Sequence, residues 1–315
     1  MIAEYYELLC ANRGQPAGAG LGNIGIIKGN GDYSVTIIPQ KETMRIRQEM
    51  MRFENFPSRH VIPRHVDVWL PPEYESDPLR RYPVLYMHDG QNCFRIEDSA
   101  FGVAWEVQHA LEKLIASGEA EPAIIVGIWN VGLRRYLEYR PARPFLYLSE
   151  VSREKVTAGL GGMPLSDAYL QFLTGELKPF IDSHYRTRPG RESTTIMGSS
   201  MGGLISLYAL CEYPDVFGGA ACISTHWPAV EGVIVSYLRD RLPDPGTHRL
   251  YFDFGTETID ALYRPVQEQV DGVMRAANYT SGSDWITREF PGAGHFEADW
   301  QRRVHIPLRF LLGTR

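Results

Sequence analysis

Cysteine is scarce in this chain: four among 315 residues (Cys10, Cys93, Cys211 and Cys222), with no C-x-x-C pair and no His/Cys grouping at zinc spacing. That excludes a disulfide-stapled scaffold and gives no reason to expect a bound metal. A dominant charge is missing too. Lys plus Arg number 32 against 38 Asp plus Glu, a net charge of −6, and no Lys/Arg block stands out. Neither nucleic acid nor an anionic membrane is therefore expected as a partner. No apolar run is long enough to span a bilayer, and the opening MIAEYYELLCANRG carries acids where a secretion signal needs bases. The expectation is a soluble cytoplasmic protein, secreted or periplasmic only if a signal peptide has been removed. Neither a repeat nor a low-complexity linker divides the chain. What remains is ordinary globular composition, 44% hydrophobic and 22% charged, enough for one large domain.

Residues 1–60 read as an N-terminal extension packed on a main domain of residues 61–315. Within the extension, Gly20-Leu-Gly22-Asn-Ile-Gly25 matches G-x-G-x-x-G, a motif that needs a buried strand before it and a helix opening inside it. Here CANRGQPAGA precedes and IGIIKG follows, so the stretch reads as a turn and no nucleotide cofactor is expected. From Arg64 onward RHVDVWL alternates like a half-buried antiparallel strand. Short continuous apolar runs follow: VLYM at 84–87, AIIVGI at 123–128, TTIM at 194–197, ACIS at 221–224 and LYFDF at 250–254. Such runs suit parallel strands buried on both faces. Helical patterns fall between them: AWEVQHALEKLIASG closed by Gly118, a segment from Ser166 with that serine as N-cap, and 202–212, 260–277 and 296–312. The expected fold is α/β, a mostly parallel central sheet with helices on both faces. Ligands of such sheets bind beyond the carboxyl ends of the strands.

One segment carries chemistry. The β-branched strand TTIM runs into Gly198-Ser199-Ser200-Met201-Gly202, and a helix leaves at once. In that setting G-x-S-x-G is a nucleophile elbow, which holds the central hydroxyl out beside a helix amino terminus. Ser200 is the candidate nucleophile. It needs a base, and the base needs an orienting carboxylate, in the chain order serine, acid, histidine. Among nine histidines, His295 lies in the glycine-rich loop FPGAGHFEADW, after the strand-like WITREF and before the last helix. The acid belongs in GTETIDALY, after LYFDF. Asp260 and Glu257 both qualify there, and Asp260, just ahead of a helix, is preferred. An oxyanion hole would use the Met201 N–H and the Gln91 N–H, the latter from the turn Asp89-Gly90-Gln91 after VLYM. Trp129, Asn130, His226 and Trp227 follow strands and are candidates to line a substrate pocket.

Together these stretches resemble the branch of the α/β-hydrolases that holds esterase D, the enterochelin esterases and the feruloyl esterases. The likeness covers about residues 60–312 and rests on VDVWLPPEY, RYPVLYMHDGQNCF, VGIWNVGLRRYLEYRP, IMGSSMGG, YFDFGTETIDALY and PGAGHFEADW. It implies an α/β-hydrolase fold and a Ser200–His295–acid triad with Gln91 and Met201 as oxyanion donors. It also implies hydrolysis of carboxylic esters through an acyl-enzyme, without metal or organic cofactor. In relatives the acid commonly falls three residues after the glycine of the post-strand loop, which here is Thr258; alignment on the following D-x-L-Y gives Asp260, with two residues inserted. Arg134, Arg135, Glu138 and Tyr139 match a stretch that lines or braces the site in relatives. Small-molecule or carbohydrate-linked esters are the expected substrates, aryl groups of the feruloyl kind among them. The alternatives are a siderophore ester or an acyl transfer handled by the same triad, and a binding module with an idle triad.

Overall fold

The structure, a computed structural model, describes residues 50–314 apart from Gly161 and Glu231; the glycine motif at 20–25 lies outside them. The described chain opens with β1 (Met51–Phe56), β2 (Arg64–Trp69) and β3 (Val84–His88), followed by α1 (Val107–Ala116) and β4 (Ile124–Ile128). An insertion then supplies α2 (Arg135–Tyr139), α3 (Ala142–Phe145), α4 (Glu150–Leu160), α5 (Ser166–Phe172) and α6 (Lys178–His184). The remainder alternates: β5 (Thr194–Ser199), α7 (Met201–Glu212), β6 (Gly219–Ile223), α8 (Ile234–Arg241), β7 (Arg249–Gly255), α9 (Arg264–Ala276) and β8 (Trp285–Phe290). Two short helices, α10 (Glu297–Arg303) and α11 (His305–Leu312), close it. No helix among the described residues is long and apolar enough to cross a membrane.

The strands form one sheet in the order β1-β2-β4-β3-β5-β6-β7-β8. It is antiparallel at β1–β2 and β2–β4 and parallel from there on. The continuous apolar runs follow from burial on two sides. Val84 and Tyr86 of β3 face one core, built with α5, α7, α8 and α9; Leu85 and Met87 face the other, built with α1, α10 and α11. α7 is buried from Met201 to Cys211, as a helix apolar on every side must be. Parallel strands bring the residues after His88, Ile128, Ser199, Ile223, Gly255 and Phe290 out on one side of the sheet.

Several elements differ from the sequence reading. The sheet begins inside the stretch read as an extension, because β1 pairs with β2, Met51 opposite Val68. MRFENF looks polar because it is an edge strand, and Arg52 crosses to Asp67 and Asp98, each at 2.7 Å. Ser166 is the first helical residue of α5 and not its cap; its hydroxyl accepts the Ala142 N–H at 2.9 Å and ties α5 to α3. The segment 296–312 is two helices, since Pro307 lacks the N–H that would bond back to Arg303. Ahead of Ser166 the insertion carries no strong periodic signal. It is pinned to the sheet by Arg64 of β2, whose guanidinium donates to both carboxylate oxygens of Glu138 on α2 at 2.8 Å, both groups buried.

Candidate active site

β5 ends at Ser199 and α7 starts at Met201, so Ser200 alone makes the corner, at φ 57° and ψ −121°. A residue with a side chain is strained there. The corner is held by the Ser200 N–H on Ile223 O at 2.8 Å and by the His226 N–H on Ser200 O at 3.1 Å. A Cβ on Gly198 would lie 2.8 Å from the Gly202 carbonyl carbon, so the chain crosses itself as closely as backbone allows. Ser200 is partly exposed while Ser199 is buried. Met201 opens α7, and its N–H therefore has no carbonyl within the helix to bond.

The facing turn follows β3. Asp89 takes a left-handed conformation, φ 57° and ψ 46°. The next residues coil through Asn92 N–H on Asp89 O (2.8 Å) and Cys93 N–H on Gly90 O (3.1 Å), bonds in which Gln91 N–H takes no part. A Cβ on Gly90 would sit 2.5 Å from the Gly127 carbonyl carbon on β4, so only glycine lets the turn pack there. The buried Asp89 carboxylate accepts two hydrogen bonds from Arg135, each 2.7 Å, and one from the Asn130 amide at 2.8 Å. Burial pushes the Asp89 carboxyl up, but the Arg135 charge and these hydrogen bonds outweigh it and hold it below the usual carboxylate range. Arg135 also reaches Ser199 O at 3.4 Å. A single cation thus joins the turn after β3 to the elbow.

The third part comes from the last two strands. β7 and β8 run in parallel with Gly255 opposite Phe290, so the loops bearing Asp260 and His295 leave side by side. His295 Nδ1 lies 2.5 Å from Asp260 Oδ1. The other oxygen accepts the Ser224 hydroxyl at 2.6 Å and the Gly255 N–H at 2.7 Å. Burial pushes the Asp260 carboxyl up, and the bonds from His295, Ser224 and Gly255 bring it below its ordinary value. A carboxylate on Nδ1 keeps the ring proton there and leaves Nε2 as the basic nitrogen. The His295 N–H is anchored on Thr258 Oγ1 at 2.9 Å, and Glu257 is exposed. Behind Asp260, Ser224 Oγ accepts from Trp300 at 3.0 Å and from Arg303 at 2.8 Å, and Arg303 also bonds Asp253 at 3.0 Å. Among the described residues no hydrogen bond joins Ser200 Oγ to His295; such bonds commonly tighten only with substrate bound.

Of the four candidate pocket residues, the structure buries Trp227 in the core and gives the other three bracing contacts. Trp227 is 1% exposed and packs on Phe252, a core position. Trp129 donates its indole N–H to Asp67 at 2.8 Å and carries the Arg52 guanidinium on its ring, so it braces the β1–β2 edge. Asn130 steadies the turn after β3, its amide on Asp89 and its backbone N–H on Gln91 Oε1 at 3.3 Å. His226 lies behind the elbow with Nδ1 2.8 Å from the Tyr263 hydroxyl. Burial, with the His295 and Arg135 charges, pushes it down to about 3, so it is a neutral ring. Sequence reasoning reads Arg135 as an ion-paired brace but does not find its partner Asp89, 46 positions away, and it misses Ser224, 36 positions from Asp260. Among the described residues no group of three or more His, Cys, Asp or Glu could hold a metal ion.

Sheet order, elbow and paired loops are those of the α/β-hydrolase fold, and the family assignment makes the chain a carboxylic ester hydrolase. A family model described as "Putative esterase" matches residues 62–306, and the chain belongs to that family. It is 30% identical to YbbA of Bacillus subtilis over 259 residues, 79% of this chain and 93% of YbbA. In structure it resembles a ferulic acid esterase, with 21% identity, a TM-score of 0.62, and 84% of this chain and 98% of that one covered. It also resembles the enterobactin esterase FES from Shigella flexneri, with 17% identity, a TM-score of 0.61, and 84% and 58% covered. At these identities the two structures speak for the fold alone.

Proposed function

We propose that the chain hydrolyses carboxylic esters through an acyl-enzyme on Ser200. The observation that carries this reading is His295 held at 2.5 Å by a buried Asp260 that two further donors anchor. With its Nδ1 proton on Asp260, His295 takes the Ser200 proton at Nε2 while Oγ bonds to the acyl carbon. The carbonyl electron pair moves onto oxygen, where the N–H groups of Gln91 and Met201 receive it. Collapse breaks the bond to the alcohol oxygen, which takes the proton back from His295. Water then repeats the sequence on the acyl-enzyme, releasing the acid and restoring Ser200.

Aryl or carbohydrate esters without strong negative charge fit best. Arg135 is bridged to Asp89, and Arg134 lies 3.7 Å from Glu138, so these cations already face carboxylates. On the loops after β3, β4, β7 and β8 stand the exposed apolar side chains of Phe101, Leu133, Leu262 and Phe296. Replacing Ser200 by alanine is expected to lower kcat on methyl ferulate and short p-nitrophenyl esters by at least about three orders of magnitude. It should also abolish labelling by a fluorophosphonate probe. Equal rates for wild type and Ser200→Ala would overturn the assignment.

A further inference from the structure

Six carboxylates are buried among the described residues: Asp67, Asp89, Glu138, Asp253, Asp260 and Glu297. Five have a cation or a histidine as partner: Arg52, Arg135, Arg64, Arg303 and His295 respectively. Glu297 is the exception. It is 9% exposed, and its carboxyl is hydrogen-bonded by its own N–H. It opens α10 two residues after His295. That helix is docked on the connection that follows the oxyanion turn, through the Trp105–Trp300 ring contact at 5.7 Å and the Gln301 amide on Glu106 at 2.8 Å. The charged groups that act on Glu297 from the facing elements are Asp89, on the oxyanion turn itself, and Arg135 on α2, already bridged to each other. On its own segment stand His295, bonded to Asp260, and Asp299, which accepts the Gly294 N–H and pairs with Arg302.

Resting on the serine-hydrolase reading above, we infer that Glu297 is a protonation-dependent positioning residue of this site, supporting acyl transfer as the neutral acid and opposing it as the carboxylate. The reason is electrostatic. Attack on the ester places negative charge against the Gln91 and Met201 N–H groups, and Asp89 beside them is already matched by Arg135. Ionised Glu297, buried and without an ion-pair partner of its own, adds a second negative charge to that of Asp89, and like charges out of water interact strongly. A buried acid without a counter-ion keeps its proton. Burial pushes the Glu297 carboxyl up to about 7, with Asp89 adding to the rise and Arg135 opposing it, so the change of state falls where an esterase operates.

The test is the pH profile of kcat/KM on methyl cinnamate, which has no titrating group, with product measured chromatographically. Loss of one proton around 7 lowers the active fraction more than about tenfold between pH 6.5 and 8.5. The wild type should show that falling limb, and in Glu297→Gln the ratio should shrink below about twofold, which a merely structural role would not produce. Glu297→Met serves the same comparison if the glutamine variant does not fold. A second reading needs no catalysis: the raised carboxyl makes wild-type stability fall as pH rises from the ordinary glutamate range through 7, and the neutral variants should lose that slope. A wild type without the falling limb, or a neutral variant that keeps it, overturns the inference. Ser200→Ala at pH 6.5 separates the two claims, since activity surviving there sinks the serine-hydrolase reading itself, whereas its loss together with an unchanged limb in the neutral variants sinks only the role of Glu297.

Discussion

Replacing Arg135 by methionine removes both charge-assisted hydrogen bonds to Asp89 while keeping much of the side chain's volume. Asp89 is 7% exposed, and Arg135 reaches it twice at 2.7 Å. Removing one partner of a buried ion pair typically costs about 3–5 kcal/mol, because the other charge is left uncompensated. Here Asn130 keeps one bond to Asp89 at 2.8 Å, and the Arg135 side chain is 16% exposed. Both reduce the penalty, so a loss of about 3 kcal/mol is expected at pH 7. That is a large share of the ~5–15 kcal/mol by which a typical domain is stable. The pH dependence has a definite sign. In the wild type the depressed Asp89 carboxyl adds stability above the unfolded carboxylate range, and this is lost as pH falls through its folded value. Without Arg135, burial raises that carboxyl, so the deficit of the variant should be largest at neutral pH and shrink in acid. Urea unfolding midpoints at pH 7 and pH 4.5, at unchanged slope, read this directly. Asp89→Asn added to Arg135→Met should recover most of the loss, because the unmatched charge is gone. A loss under about 1 kcal/mol, or no recovery in the double variant, would refute the account of Arg135 as the counter-ion of Asp89.

Two further expectations concern the same site. Asp260→Asn places an amide where His295 Nδ1 needs a carboxylate at 2.5 Å; kcat should fall about 10³–10⁴-fold, while Glu257→Gln, on an exposed side chain, should leave the rate within about twofold. Comparable losses from both would refute the pairing as the source of the effect. Gly90→Ala drives a Cβ to 2.5 Å from the β4 backbone, so the turn must move. A loss of about 10²–10³ in kcat from the displaced Gln91 donor is expected, and an unchanged kcat would refute the placement.

How much is legible depends on whether a feature is local. Parallel strands buried on both faces announce themselves as VLYM, AIIVGI and TTIM, and these runs fall on β3, β4 and β5, with Ala123 just ahead of β4. β1 escapes a sequence reading because an edge strand with Arg52 and Glu54 has no apolar run to show. The first helices of the insertion escape it for a related reason, whereas the stretch from Ser166 reads as helical and is. α2 and α3 are five and four residues long, too short for a period, and their order comes from tertiary bonds such as Arg64–Glu138. Residue type alone puts Trp227 in a pocket, and burial against Phe252 overrides that.

By itself the sequence determined the α/β class, the elbow at Ser200 and the late glycine-rich loop that presents His295. Each is written in a few consecutive residues, where backbone sterics and side-chain period act. Only the tertiary structure decided which of two nearby carboxylates meets His295, which cation neutralises Asp89, and that Glu297 is buried without one. Those are contacts between segments far apart in the chain, set by strand order and by which charges the fold removes from water together.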